Sequence, residues 1–315
     1  MKKCWFLTAF LLVFVTPYVV FSFADGLIES ESPLQNEIGN NCSFVVSIGD
    51  GVRVREMDLE DYIAAVVAGE MPSSFELEAL KAQAVATRTF TLKMINEGWK
   101  HIDFDVCTDP ACCQAFREVA DYSEFQSVLE AVAETKSEVL MYDEELIEAT
   151  YFSCSGGRTE AAVEVWGTDI PYLQAQDSPG EERATHYTDF YYFTIEEFLT
   201  KLNLSGEIHI DSIVRTEGGG VKTVNIGEKT YSGIQMRELL GLRSTVFEIE
   251  IIDDGVQITT KGYGHRVGMS QYGAEAMAID GRPYDEILAY YYPGTERKVL
   301  SQHELFAIFD KAGNL

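Results

Sequence analysis

The hydrophobic pattern changes period once between residues 44 and 96, from strand to helix. Phe44-Val45-Val46-Ser47-Ile48, a turn at Gly51 and Val52-Arg53-Val54 read as strand, turn and strand. Apolar positions at Leu59, Tyr62, Ile63, Val66 and Val67 then predict a helix from Leu59 to about Gly69, with Asp58 as its N-cap. Pro72 ends that helix, because the residue before a proline is pushed out of helical geometry. Glu70 is therefore left at the helix terminus, just before the break. Ser73 or Ser74 is expected to cap the next helix, Phe75 to Asn96. Its small residues Ala79, Ala82, Ala84 and Ala86 predict close packing on more than one side. Lys81 and Arg88 sit awkwardly in such a helix, and at least one is expected to face a cleft.

Further along, a helix near 124–136 and sheet segments near 138–153, 208–232 and 247–261 complete a mixed α/β (α+β) reading. The stretch 179–245 reads as a lobe inserted into a principal domain spanning 46–300, and 301–315 as a C-terminal tail. At the other end, Lys2 and Lys3 precede an uncharged run from Cys4 to Ala24, about the 20 residues that span a bilayer. The two lysines stay on the cytoplasmic side, which puts the remainder outside. The small pair Ser22 and Ala24 ahead of Asp25 leaves signal cleavage open as an alternative to a retained anchor at 1–24. Residues 25–45 are polar and aperiodic, and read as a linker.

Charge removes one class of function. With 24 basic against 51 acidic residues the formal charge is -27, which repels nucleic-acid phosphates. A ligand must be neutral where it touches this protein, or meet a local basic group.

Three groups of residues carry candidate chemistry. Glu70 has apolar company in Val66, Val67, Met71 and Phe75, and desolvation there would keep its carboxyl protonated, as a general acid requires. Gly156-Gly157, flanked by Ser153 and Ser155, and the glycines around His265, Ser270, Gln271 and Tyr272 let backbone approach a ligand closely. Their hydroxyl and amide groups can bind sugar hydroxyls, with Tyr272 stacking on a pyranose face; tight turns are the plainer alternative. His101, Cys107, Cys112 and Cys113 fall within thirteen residues and can close a tetrahedron on zinc, with Asp109-Pro110 folding the ligands back. A Cys107–Cys113 disulfide competes with that reading outside the cytoplasm.

Four motifs occur in order. They are Glu70-Met71-Pro72 with Glu78 through Arg88; Tyr151-Phe152-Ser153-Cys154-Ser155-Gly156-Gly157-Arg158-Thr159-Glu160 with Trp166 and Pro171-Tyr172-Leu173; Gly262 through Ala274; and Tyr290-Tyr291-Tyr292-Pro293-Gly294-Thr295. Together they resemble the stage II sporulation protein D family. Arg266 stands where that family usually has glycine, and Cys154 where a small hydroxyl residue is common. The resemblance implies a membrane-anchored lytic transglycosylase of spore-forming bacteria, acting on septal or engulfment peptidoglycan. It implies partnership with a cell-wall amidase that strips stem peptides, and with a membrane partner. It also implies Glu70 as the catalytic acid, and a His and Cys cluster at the spacing of His101, Cys107 and Cys113 holding a structural zinc. Arg88 is expected to orient Glu70 or to bind the lactyl carboxylate of peptide-free muramic acid. Two other functions remain open: a non-catalytic glycan-binding activator of an amidase, and a zinc hydrolase using His101 or His265.

Overall fold

A computed structural model describes residues 44–98, 100–118 and 123–311. The expected anchor 1–24, most of the linker and Cys42 lie outside the described residues. Among the described residues no helix is long and apolar enough to cross a membrane.

Strands β1 (Val45–Gly49) and β2 (Val54–Asp58) form a hairpin, with Gly49 opposite Val54. Asp50 closes its turn by accepting from the N–H groups of Val52 and Arg53, each at 2.9 Å. Helix α1 (Leu59–Glu70) follows at once, with Asp58 accepting from the Glu60 N–H as the N-cap. It stops at Met71, which is extended at φ -124° as a residue before proline must be. Helix α2 (Leu77–Glu97) starts later than expected. Phe75 donates to the carbonyl of Pro72, so Ser73 and Ser74 are spent in that turn, and Glu76 takes the N-cap without a side-chain bond. Gly98 ends α2 in the left-handed region.

Strand β3 (Val106–Cys107) adds to β1 in parallel, and α3 (Gln126–Glu134) packs beside α1 and α2. Next come β4 (Glu138–Tyr142), β5 (Glu145–Leu146), β6 (Tyr151–Phe152) and the short α4 (Ala162–Trp166). The lobe holds β7 (Thr188–Thr194), α5 (Ile195–Lys201), β8 (Ile210–Arg215), β9 (Val221–Ile226), β10 (Lys229–Ser232), α6 (Gly233–Leu240), β11 (Val246–Ile252) and β12 (Gly255–Lys261). The chain then returns through β13 (Met269–Ser270), α7 (Gln271–Ile279), α8 (Tyr284–Tyr291), β14 (Glu296–Val299) and α9 (Gln302–Lys311).

Helix α2 is the spine. Leu80, Ala84 and Leu92 belong to one buried cluster with α1, α3 and α9; Ala79, Ala82, Val85 and Ala86 belong to a second with α7 and α8. Its alanines let neighbouring helices close in on both sides, as their sequence pattern predicts. A third cluster is built from the lobe alone, including Phe193, Phe198, Val224, Met236, Phe247 and Ile258. It runs past residue 245, because β12 pairs with both β11 and β7 and so carries 246–261 into the lobe. The stretch 302–311 is likewise helix α9, with Leu305 and Phe309 buried against the first cluster.

Arg88 does not face a cleft. It is fully buried, and its Nε and Nη2 grip the Glu60 carboxylate at 3.0 and 2.6 Å. Its remaining N–H groups reach the carbonyls of Ala84 and Glu138. An arginine in an all-sided helix must find its partner inside the core, and α1 supplies it. Lys81 is also spoken for, by Glu78 at 2.8 Å and Glu134 at 2.6 Å.

Candidate functional site

Glu70 projects from the last residue of α1, where the Pro72 break stops the helix from covering it. Its Oε1 accepts from the backbone N–H of Ala115 at 2.7 Å, and its Oε2 from the carboxamide of Gln271 at 3.1 Å. Both donors favour the carboxylate, yet burial outweighs them and pushes the Glu70 pKa up from the usual carboxylate range. The groups that touch Glu70 are thus an amide and a carboxamide, both neutral. Tyr272, next in the chain to Gln271, packs edge to face on Phe75 with ring centroids 5.1 Å apart.

Beneath Glu70 lies a polar network absent from the sequence reading. Gln114, 3% exposed, accepts from Thr91 Oγ1 at 2.8 Å and donates to the Tyr151 hydroxyl at 2.6 Å. Glu70 raises the pKa of both Tyr62 and Tyr151 through space, adding to the larger effect of burial, so these phenols stay neutral at its side. The loop 114–117 is laid directly on α1: Arg117 donates to the Ala65 carbonyl, and a Cβ on Gly69 would meet Phe116 N at 3.0 Å. Glycine at 69 is what lets Ala115 reach the carboxylate.

That loop leaves a cluster of four soft ligands. The donor atoms of His101, Cys107, Cys112 and Cys113 all lie within 4.8 Å of one another. His101 Nε2 is 3.3 Å from Cys113 Sγ and 3.6 Å from Cys112 Sγ. Asp109 makes the fold-back, its carbonyl accepting from the N–H groups of both Cys112 and Cys113. All four described cysteines are free thiols, so no Cys107–Cys113 disulfide is formed. One imidazole and three thiols converging in this way suit a closed tetrahedral zinc site, and one metal could be held there. His265 is not part of it.

The glycine-rich motifs are used differently from expectation. Ser155, Gly156, Gly157 and Ser270 all serve the fully buried Glu181. Its carboxylate accepts from the N–H groups of Ser155, Gly156 and Gly157 at 3.0, 2.9 and 3.1 Å. The hydroxyls of Ser155, Ser178 and Ser270 complete the shell. These amides and hydroxyls are occupied inside the protein and are not turned toward a ligand. Ser153 offers its carbonyl, which accepts from Tyr272 N at 3.0 Å. Arg266 adopts φ 69°, the left-handed conformation that favours glycine. Its buried guanidinium compensates the strain by donating to the carbonyls of Ser155, Arg158 and Gly218, beside Glu160 at 3.5 Å. His265 packs between Phe152 and Trp166, at 5.6 and 5.7 Å. Burial first, then the charge of Arg237, holds its pKa down at about 4, so it is neutral at pH 7.

So Gln271 reaches Glu70, with Tyr272 next to it in the chain and the Ser153 carbonyl bonded to Tyr272 N, while Arg88 and the Glu181 shell have other partners. Over 257 residues the chain is 38% identical to the stage II sporulation protein D of Bacillus subtilis (strain 168), covering 77% of this chain and 75% of that protein. It belongs to the stage II sporulation protein D family. The corresponding Bacillus amyloliquefaciens protein is equally similar, at 38% identity over 77% of this chain and 75% of that protein. The family's model, a stage II sporulation protein, matches residues 49–142, which take in Glu70, the four-ligand cluster and Gln114. A Bacillus subtilis protein named amidase enhancer is 29% identical over 74% of this chain and 40% of its own length. Membership makes this a sporulation protein.

Proposed function

We propose that the chain is a peptidoglycan lytic transglycosylase that cuts glycan strands lacking stem peptides during sporulation. The single observation that supports it is Glu70: a desolvated carboxyl with a raised pKa, touched by neutral donors at a helix break. A hydrolase that uses two carboxylates needs the second one close by. A transglycosylase needs one. Glu70 protonates the glycosidic oxygen as the bond from the muramic acid anomeric carbon breaks. The C6 hydroxyl of the same ring forms the new bond to that carbon, and its proton passes to the Glu70 carboxylate, which restores the acid. Gln271 and the Ala115 amide stabilise the carboxylate between the two transfers and hold its orientation. Phe75 and Tyr272 offer rings for the sugar faces.

In this reading His101, Cys107, Cys112 and Cys113 hold a zinc ion. Such a four-ligand site supplies folding energy to the loop that ends in Gln114 and Ala115. The residues Lys2 to Ala24 anchor the protein in the membrane, with the described domain outside the cytoplasm. An amidase that removes stem peptides is the partner that prepares the substrate.

Peptide-free glycan strands given to the full chain should yield 1,6-anhydromuramic ends by mass spectrometry. Glu70→Gln should lower that turnover by at least ~10²-fold with binding retained. Reducing ends in place of anhydro ends would refute the transglycosylase step while leaving glycan cleavage standing. The relative named amidase enhancer keeps a second reading in play, a glycan-binding activator of an amidase. Full amidase stimulation by a chain whose Glu70→Gln variant and parent both cut nothing would select it.

A further inference from the structure

Lobe and core meet at Tyr263, and there the protein keeps a partly buried arginine without an ionic partner. Arg237, in α6, donates through Nε to the Leu242 carbonyl at 3.3 Å. Among the described residues no carboxylate pairs with it; Glu238, its exposed sequence neighbour, acts on it only through space. Among the described residues Arg183 and Arg282 also have no carboxylate partner, but both are exposed to solvent. Arg237 is half-buried, and desolvation pulls its pKa down. An unpaired cation in such a place costs stability unless something anionic arrives.

Its surroundings say what kind of anion. Tyr263 is 40% exposed and Trp166 41% exposed, large values for aromatic rings on a folded surface. Arg243 lies over the Tyr263 ring at 5.3 Å and is itself paired with Asp189 at 3.1 Å, so its charge is spent. The neutral His265 ring packs against both Trp166 and Phe152. Exposed rings stack on pyranose faces, and a guanidinium pairs with a carboxylate. We propose that Arg237, with Trp166 and Tyr263, forms a subsite for a carboxylate-bearing sugar ring. The inference rests on the glycan reading above. In muramic acid that carboxylate is free only where no peptide is attached; a stem peptide converts it to a neutral amide. The subsite therefore selects strands from which peptide has been removed, and gives one local cation to an anionic sugar on a protein of charge -27.

The test is binding to the full chain carrying Glu70→Gln, solubilised in detergent, by calorimetry with three probes. These are peptide-free muramic-acid strands, the same strands with their carboxyls converted to methylamides, and chitotetraose. Arg237 in place, the acidic strands should bind about tenfold or more tighter than the methylamides. Arg237→Gln should abolish that difference and leave chitotetraose binding unchanged, with thermal unfolding as the folding control. Equal affinity for acidic and methylamide strands in the Arg237-containing chain overturns the subsite without any variant being needed. A loss shared equally by all three probes overturns it too, since that is a structural effect. Binding to none of them overturns the glycan reading itself, and the subsite with it.

Discussion

The Gln271 carboxamide donates to Glu70 at 3.1 Å across 201 residues of chain, joining the first helix to the seventh. Helix α7 begins at Gln271 because Ser270 caps it, accepting from Gly273 N at 3.1 Å, and that start aims the carboxamide at the α1 terminus. This donor favours the charged form of Glu70. If the reacting form is the protonated acid, the rate falls as pH rises through the Glu70 pKa. Gln271→Leu removes a stabiliser of the carboxylate, so the pKa rises and the alkaline limb of the pH–rate profile moves to higher pH. Turnover should also drop by at least about tenfold, the worth of a hydrogen bond to a charged group. An alkaline limb that stays put or moves down argues against Glu70 as the titrating acid.

Arg88 is expected to act on the fold alone. Removing it leaves Glu60 buried without its cation, which costs about 3–5 kcal/mol. Arg88→Met should show that loss in chemical unfolding, and the double variant with Glu60→Leu should recover most of it, because neither charge then remains. Glycan affinity per folded molecule should not change. A substrate-binding arginine would show the reverse, with affinity lost and stability kept.

What the sequence revealed and what it hid follow from one physical difference. A break at Pro72 is local: it acts on Met71 and places Glu70, so it is legible from residues in a row. The two-sided packing of α2 is legible from its alanines. The Ala115 donor is a backbone amide, and every residue has one, so nothing in its identity marks it. Gly69, whose side-chain absence admits that loop, was the available signal. Glycines 156 and 157 looked ready for a ligand and serve Glu181, which lies 25 and 24 residues on in an acid-rich stretch where no pattern singles it out. Arg88 was misplaced because the partner of a buried charge depends on tertiary packing, here α1 against α2.

The four-ligand cluster should respond to a chelator. Freshly purified protein should carry about one zinc per chain by elemental analysis. A strong chelator should lower the melting temperature by at least about 5 °C, equivalent to roughly 3 kcal/mol in a chain of this size. Cys113→Ser should reproduce that drop without a chelator, since Cys113 is the buried ligand nearest His101. Metal-free protein of unchanged melting temperature would refute the site.

Glu70→Gln should make the fold more stable at pH 7–8 even as it removes activity. Burial holds the folded pKa of Glu70 above its ordinary 4.5. Between those two values the native state binds more protons than the unfolded chain, so stability from this group is full below the unfolded pKa and falls as pH rises through the folded pKa. Glutamine keeps the shape, stays neutral at every pH and can still accept from the Ala115 amide. The variant therefore escapes the penalty that the parent carries once Glu70 ionises. Chemical unfolding at pH 8 should find Glu70→Gln more stable than the parent, and the gap should close as the pH is lowered to 4. A site built for acid catalysis holds its carboxyl where water cannot relieve the charge, and the folded state bears that cost. If the variant is instead less stable at pH 8, with no dependence of the gap on pH, Glu70 is an ordinary satisfied carboxylate and the acid role loses its physical basis.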